Sequence, residues 1–297
     1  MPLIFSIITP TLNRSAMLRE AAASVAAQNW PEVEQIVADG GSDDGTREML
    51  AEFAFAQFLA GPDQGIYHGL NRALAQARGD IVGWLNSDDL YAPGAFEAAA
   101  AAFDADANLA AVCGGAQIET GDAPERRYAP DLVADLSPGA LLVGPTLPNA
   151  WFFRREVLEK VGAFALDLGV AADSDFMLRF ARLGLPHSAA QAQFYRYRRH
   201  AGSATLSTEG ASRRLREDML RLAQKWRDDP DAEVRRAARA VEGRCRAALC
   251  ASALGRGDIG AVAAQAAHAP LIAAGVSDFA GRTLIPRLRR RRYGESR

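Results

Sequence analysis

Short apolar runs alternate with helical patterns through the first third of the chain, and this alternation limits the fold more than any other feature. The sequence predicts β-strands at residues 3–9, 33–38 and 81–85, with helices at 13–28 and 65–78 between them. When strands and helices alternate in this way, the strands usually form a parallel sheet with helices on both faces. We therefore predict an α/β fold.

The pattern changes twice further along the chain. Short strands and one helix are mixed after residue 109, and apolar residues recur at helical spacing beyond residue 208. We predict a globular domain over residues 1–208, made of halves 1–109 and 110–208. A helical extension with a basic tail is predicted over residues 209–297.

Composition excludes several classes of protein. The formal net charge of −2 provides no overall field to attract nucleic acid, so we expect no nucleic-acid partner. Three cysteines are too few and too scattered for a disulfide framework or a zinc site, so we interpret them as small core residues. The N-terminus enters a strand pattern at once, and apolar runs are shorter than a membrane span. A cytoplasmic location is expected.

The C-terminal tail is locally basic. Five arginines crowd it: Arg287, Arg289, Arg290, Arg291 and Arg292. Such a cluster can attract an anionic membrane surface, at about 1 kcal/mol per basic residue. Two interpretations stay open: a solubilising tail, or a peripheral contact with the inner face of the membrane.

Polar clusters follow three of the predicted strands, at residues 9–14, 39–46 and 86–89. Ligands of open parallel sheets bind at the carboxyl ends of the strands. Several carboxylates at one edge repel each other unless a cation is held there. Oxygen ligands suit Mg²⁺ or Mn²⁺, which usually bridge one or two carboxylates to substrate phosphates. The clusters therefore predict a diphosphate-bearing substrate.

These clusters also resemble a known family. Residues 6–90 look like the nucleotide-binding half of the family 2 glycosyltransferases, which have the GT-A fold. The matching pieces are Ile8-Thr9-Pro10-Thr11-Leu12-Asn13-Arg14, Asp39-Gly40-Gly41-Ser42-Asp43-Asp44-Gly45-Thr46, Asp63-Gln64-Gly65, Asn71-Arg72-Ala73 and Leu85-Asn86-Ser87-Asp88-Asp89. Further on, residues 172–179 resemble the family's acidic catalytic motif, and residues 197–203 resemble a basic loop near the end of the domain.

The resemblance implies roles for individual residues. The expected donor-binding residues are Thr9, Thr11, Asn13, Arg14, Asp39, Ser42, Asp63, Asn71 and Asp88. Asp88 also belongs with Asp89 to the metal motif, and the expected contacts to Mn²⁺ or Mg²⁺ are Asp89 and His200. Asp173 would be the general base of a reaction that inverts the anomeric carbon.

Two positions depart from the family pattern. Asn86 stands where many relatives have an acidic residue, so the outer position of the metal motif is neutral. Ala172 replaces the glutamate that usually precedes the base, and Asp175 therefore remains an alternative to Asp173. Simpler structural roles also stay open, because Asp39 could form a turn and Asp44 could cap a helix.

The predicted function is transfer of a single sugar from a nucleoside diphosphate sugar, with UDP expected, to a hydroxyl on a saccharide or lipid-linked acceptor. The resemblance implies a place in bacterial cell-surface polysaccharide or glycolipid synthesis. Processive relatives carry a Q-x-x-R-W signature that is missing here. The first alternative is a catalytically silent partner that binds sugar nucleotides. A sugar-phosphate nucleotidyltransferase is less favoured, because no glycine-rich loop follows the first strand.

Overall fold

The computed structural model describes residues 2–121, 123–143, 147–200, 202–203, 209–266 and 268–273. The described part of the chain forms two compact units. The first contains the residues up to 137 with those from 147 to 167 and from 172 to 203, and the second contains 138–143, 168–171 and the residues from 209 onward. The second unit thus includes two short segments, 138–143 and 168–171, that were predicted to belong to the first domain. The predicted boundary at residue 208 stays a prediction.

The first unit is built on one sheet, in which nine strands are described. They are β1 (Phe5–Thr11), β2 (Val33–Asp39), β3 (Ala56–Leu59), β4 (Ile81–Trp84), β5 (Leu90–Tyr91), β6 (Ala111–Thr120), β7 (Ala123–Tyr128), β8 (Trp151–Arg154) and β9 (His187–Arg199). Their order is β3-β2-β1-β4-β8-β6-β9-β5, and β7 pairs with β6.

The sheet is parallel in its first half and mixed in its second. Strand β1 pairs in parallel with β2 and β4, and β2 pairs in parallel with β3. Strand β8 is antiparallel to both β4 and β6, whereas β6 and β9 are parallel. The predicted α/β architecture is confirmed. The carboxyl ends of β1, β2 and β4 come to one edge, where the polar clusters were found.

Helices connect these strands and continue after them. Those described are α1 (Ser15–Ala26), α2 (Thr46–Leu50), α3 (Ile66–Leu74), α4 (Ala95–Ala105), α5 (Pro130–Val133), α6 (Pro138–Val143), α7 (Arg155–Val161), α8 (Ala172–Arg182), α9 (Glu209–Trp226), α10 (Ala232–Gly255) and α11 (Ile259–Ala266). Two 3₁₀ turns, Pro148–Ala150 and Gly169–Ala171, complete the set.

Helix α1 shows how the sequence pattern is realised. The helix predicted over residues 13–28 is present, and its buried face consists of Leu18, Ala21, Ala22 and Val25. The Asp44 side chain accepts a hydrogen bond from Ser15 N at 2.8 Å, at the start of this helix. Asp43 or Asp44 was expected to cap α2, but neither forms a side-chain cap there. Helix α2 begins after Gly45, which has a φ of 81°, and without a side-chain cap.

Aromatic rings fill the core beneath the carboxyl edge. Trp84 of β4 stacks on Phe153 of β8 with ring centroids 5.4 Å apart. Phe164 and Phe176 contact the same indole edge-on, at 5.3 and 5.4 Å. Trp151, Phe152 and Phe153 of β8 are all buried and belong to the core. Buried rings of this kind fix the positions of β4, β8 and α8.

The second unit is helical as far as it is described. The predicted stripes are packing faces, since Leu222 and Trp226 of α9 and Val234, Ala238 and Val241 of α10 are buried. No described helix is long and apolar enough to cross a membrane. The arginines at positions 287–292 lie outside the described residues.

The cysteines are free thiols, as predicted. Cys113 and Cys245 are buried and so behave as core residues, whereas Cys250 is partly exposed. Burial raises the pKa of the Cys245 thiol to about 11.

Candidate active site

The loops that follow β1 and β2 are hydrogen-bonded to each other. Asn13 adopts a left-handed backbone conformation with a φ of 51°. Its N–H donates to Ser42 Oγ at 2.8 Å, and its side-chain oxygen accepts a hydrogen bond from Asp43 N at 3.0 Å. Gly40 N donates to Thr11 O at 3.0 Å. The structure thus brings together Thr11, Asn13 and Ser42, three of the predicted donor-binding residues.

Asp39 ends β2 and is buried. One carboxylate oxygen accepts hydrogen bonds from Gly41 N and Ser42 N, each at 2.9 Å, and the other accepts one from Ser42 Oγ at 2.5 Å. The turn-forming interpretation is confirmed by these bonds. A carboxylate can accept about four hydrogen bonds, so one position is left for a ligand. Contact with the nucleotide stays a prediction.

Thr9 and Thr11 differ although both were predicted to bind the donor. Thr9 is fully buried, and its hydroxyl accepts a hydrogen bond from Gln35 Nε2 at 3.0 Å. The structure therefore places Thr9 inside the sheet, and the predicted donor contact does not fit. Among the described residues, no group hydrogen-bonds the buried hydroxyl of Thr11. That hydroxyl lies at the carboxyl end of β1, where a ligand oxygen could satisfy it.

Asp63 and Asn71 are held by the protein. Asp63 accepts a hydrogen bond from Gly65 N at 3.0 Å and lies against Gly40, whose missing Cβ would be 2.9 Å from Asp63 Oδ2. The Asn71 amide donates to Phe164 O at 2.9 Å and accepts from Phe164 N at 2.8 Å. The side chain thus fastens α3 to the loop at 164, and its contact with the sugar donor stays a prediction.

Asp89 anchors the loop that follows β4. It is fully buried, and its two oxygens accept hydrogen bonds from Tyr195 Oη at 2.5 Å and from Arg198 N at 2.9 Å. Asn86 Nδ2 donates to it as well, at 3.2 Å. Burial and the neighbouring Asp88 raise the pKa of Asp89 to about 7. These bonds give Asp89 an anchoring role, and its contact with a metal stays a prediction.

Asp88 faces two basic side chains instead. Its carboxylate forms an ion pair with Arg14 and lies 3.0 Å from His200 Nε2. The side chains of Asp88 and His200 are 16% and 21% exposed, so both are accessible to a small ligand. Gly202 N donates to His200 Nδ1 at 3.1 Å, and in the neutral ring the proton is therefore on Nε2, towards Asp88. The structure thus brings together Arg14, Asp88 and His200, three of the predicted site residues.

A metal site made by protein side chains alone is not found. Within the described ranges, no three His, Cys, Asp or Glu side chains are grouped so that they could hold an ion. Asp88 and His200 would supply two ligands, and a cation there would need substrate oxygens to complete its coordination.

Asp173 and Asp175 lie on the first turn of α8 but have different surroundings. Asp175 is fully buried and forms an ion pair with Arg179 Nε at 2.9 Å. Arg179 also donates to Ala163 O at 2.9 Å, so this pair fixes the preceding loop. Asp173 is partly exposed. Desolvation raises its pKa to about 7, against the lowering effect of a hydrogen bond from Tyr67.

Three contributors were missed at the sequence level: Tyr67, Tyr195 and Arg198. Tyr195 and Arg198 belong to β9, and Arg198 Nε also donates to Asp88 O at 2.6 Å. Tyr67 lies two residues after the Asp63-Gln64-Gly65 motif, and Arg198 lies in the basic loop at residues 197–203, so both were close to motifs without being assigned a role. Nothing in the sequence indicates that β9 would pair with β5 immediately after Asp89.

The family model for "Glycosyl transferase family 2" matches residues 6–162, which contain most of this site. The chain belongs to glycosyl transferase family 2. This transferase is 32% identical to an uncharacterized glycosyltransferase of Mycobacterium tuberculosis over 185 residues. The aligned region covers 59% of this chain and 68% of that relative. A PGL/p-HBAD biosynthesis glycosyltransferase of Mycobacterium bovis is 31% identical over 185 residues, covering 59% of this chain and 69% of the relative.

Solved structures confirm the GT-A fold of the transferase. Staphylococcus aureus TarS 1-349 in complex with UDP-GlcNAc matches with a TM-score of 0.62 and 20% identity, over 82% of this chain and 71% of that one. The mannosyltransferase PcManGT from Pyrobaculum calidifontis, in complex with GDP-Man and Mn²⁺, matches with a TM-score of 0.60 and 22% identity, over 95% and 88%. At these identities the likeness concerns the fold.

Replacing Asp89 tests its anchoring role. Asp89→Ala leaves the buried Tyr195 hydroxyl and Arg198 N–H without acceptors, and each unsatisfied group costs about 1–3 kcal/mol. We expect the free energy of unfolding in urea to fall accordingly. The control is Asp80→Ala, which also removes a carboxylate that accepts a backbone N–H, from Ile4, but at an exposed position. Equal losses in the two variants would contradict the anchoring role.

Proposed function

We propose that this transferase moves a single sugar from a nucleoside diphosphate sugar to an acceptor hydroxyl, with inversion at the anomeric carbon and with Asp173 as the base. The observation that carries this proposal is the contrast between the two carboxylates of α8. Asp175 is locked in an ion pair, whereas Asp173 is accessible and has a pKa of about 7. General bases work best when their pKa lies near the working pH.

The donor side rests on the loops after β1, β2 and β4. Asn13, Ser42 and Asp39 would hold the nucleoside, through the ligand positions that the turn leaves open. Arg14 would bind the diphosphate by exchanging its partner Asp88 for a phosphate oxygen, since a guanidinium pairs well with either. The neighbouring solved complexes contain UDP-GlcNAc and GDP-Man, which supports a nucleoside diphosphate sugar as donor. We take UDP as the nucleotide to test first.

Asp88 and His200 fit a divalent cation. One carboxylate and one imidazole, both partly exposed and 3.0 Å apart, are suitable ligands when substrate phosphates supply the rest. Mn²⁺ or Mg²⁺ bound there would neutralise charge on the departing diphosphate as a Lewis acid. The presence of Mn²⁺ in the PcManGT complex supports this choice. A cation at Nε2 would require the ring proton to lie on Nδ1, so the hydrogen bond from Gly202 N would be lost.

The protein's own part in the reaction is proton removal and alignment. The acceptor oxygen attacks the anomeric carbon, the bond from that carbon to the diphosphate oxygen breaks, and the nucleoside diphosphate leaves. Asp173 takes the acceptor proton as the new glycosidic bond forms. One displacement with one base inverts the anomeric carbon. Positioning of this kind of base contributes about 10²–10⁴-fold to the rate.

Relatives support the acceptor class. They include the PGL/p-HBAD biosynthesis glycosyltransferase and an O-antigen biosynthesis protein of Myxococcus xanthus, which is 32% identical over 188 residues, or 61% of this chain and 14% of that protein. We therefore propose a saccharide or lipid-linked acceptor in cell-surface polysaccharide or glycolipid synthesis. We propose that one sugar is added per encounter, because the Q-x-x-R-W signature of processive relatives is missing.

Chelation tests the cation. Excess EDTA should abolish transfer from UDP-sugars, and Mn²⁺ or Mg²⁺ should restore it. In Asp88→Asn, the Mn²⁺ concentration for half-maximal activity should rise by at least about tenfold, the lower end of the effect of weakening a metal's surroundings. Glu52→Gln is the matched control, because Glu52 is an exposed carboxylate that also pairs with an arginine, Arg19. Full transfer in excess chelator would refute metal dependence.

Substitution at α8 tests the base. Asp173→Asn keeps the shape of the side chain but cannot accept the proton, so kcat should fall by about 10²–10⁴-fold while donor affinity is unchanged. In the unmodified enzyme, kcat should rise with pH through about 7, as Asp173 ionises. Asp175→Asn should chiefly lower the free energy of unfolding, because it breaks the pair with Arg179. An inactive Asp175→Asn beside a normal Asp173→Asn would assign the base to Asp175.

A further inference from the structure

We propose that Tyr67 is a positioning residue for the base, and that its hydroxyl orients the Asp173 carboxylate and stabilises its ionised form. This inference rests on the proposed function, in which Asp173 takes the acceptor proton. It adds a residue that lies in the donor-binding half of the chain, far from the acidic motif in sequence.

The contact joins two helices. Tyr67 is the second residue of α3, and Asp173 is the second residue of α8. The Tyr67 hydroxyl is hydrogen-bonded to the Asp173 carboxylate. Helix α3 follows directly on the loop that contains Asp63, and this loop lies against Gly40 beside Asp39. The hydroxyl therefore reaches the base from an element that also shapes the donor side.

Apolar contacts hold the tyrosine in place. Its ring lies 5.6 Å from the ring of Phe164. Asn71, one turn further along α3, hydrogen-bonds both the N–H and the C=O of Phe164. Phe164 in turn stacks on Phe176, with centroids 4.7 Å apart, and Phe176 belongs to the same turn of α8 as Asp173. These contacts fix α3 and α8 relative to each other, so the Tyr67 hydroxyl is preorganised to bond the Asp173 carboxylate.

The charged groups of α3 and of the first two turns of α8, other than Asp173, have partners of their own. On α8, Asp175 and Arg179 pair with each other. On α3, Arg72 donates to the carbonyls of Gly61 and Ala60, each at 2.7 Å, and His68 Nδ1 accepts from Gln64 N at 3.3 Å.

The Tyr67 hydroxyl consequently favours the ionised form of Asp173. Desolvation raises the pKa of Asp173 towards 7, and the Tyr67 hydroxyl is the hydrogen-bond donor that opposes this rise. A donor that bonds the charged form of a carboxylate favours that form. Without the hydroxyl, a larger share of the base would be protonated in neutral solution and so unable to accept the acceptor's proton.

The test is the pH dependence of kcat in Tyr67→Phe, which keeps the ring and its contact with Phe164. If the pKa of the base rises by about one unit, kcat near neutral pH falls about fivefold. The loss should nearly vanish two pH units higher, and the KM for the UDP-sugar should not change. Thermal unfolding of the variant checks that the fold is intact. Tyr128→Phe is the control, since that hydroxyl contacts Arg126 on β7.

The outcomes distinguish the role of Tyr67 from the proposal that Asp173 is the base. An unshifted acid limb in Tyr67→Phe, or a loss of kcat that is the same at every pH, overturns the role of Tyr67 even when Asp173→Asn is inactive. A fully active Asp173→Asn instead overturns the assignment of the base. Tyr67→Leu adds a second measurement, because it removes the ring as well. At high pH, kcat should be lower in Tyr67→Leu than in Tyr67→Phe. Equal kcat values there would contradict a role for the contact between the Tyr67 ring and Phe164.

Discussion

The buried carboxylate of Asp89 is the interaction on which the site depends most. It accepts hydrogen bonds from Tyr195 and Arg198, which lie more than one hundred residues later in the chain. Through it, the loop after β4 is fixed to the end of β9. That junction sets Asp88 opposite Arg14 and His200, so the end of the site where we propose a cation is assembled from residues far apart in the chain.

Acidic residues occur here in close pairs that divide two tasks. Asp89 and Asp175 are fully buried and bonded to the protein, while their neighbours Asp88 and Asp173 remain accessible. A buried carboxylate is stable only when donors surround it, and those donors are supplied by distant elements. The accessible partner is then held in place by the backbone of its anchored neighbour. In each of these acidic motifs, a carboxylate that anchors the fold therefore lies beside one that is accessible to a ligand.

The sequence predicted what is local. Strands β1, β2 and β4, the buried stripe of α1 and the gathering of polar loops at one edge all follow from periodicity and from the carboxyl-end rule. It missed β3 and β7 and much of β6 and β9, because pairing over long separations leaves little local pattern. The contacts of Thr9, Asn71 and Asp89 within the protein were missed for the same reason. Their protein partners, Gln35, Phe164 and Tyr195, become neighbours only in the folded chain.

The stereochemistry of the product tests the central claim most directly. If Asp173 alone removes the acceptor proton during one displacement, an α-linked UDP-sugar must give a β-glycoside. The proton NMR spectrum of the first product formed, recorded with any alkyl glycoside that accepts the sugar, distinguishes the two anomers through the coupling of the anomeric proton. A β-linked product agrees with the account, and an α-linked product would contradict it.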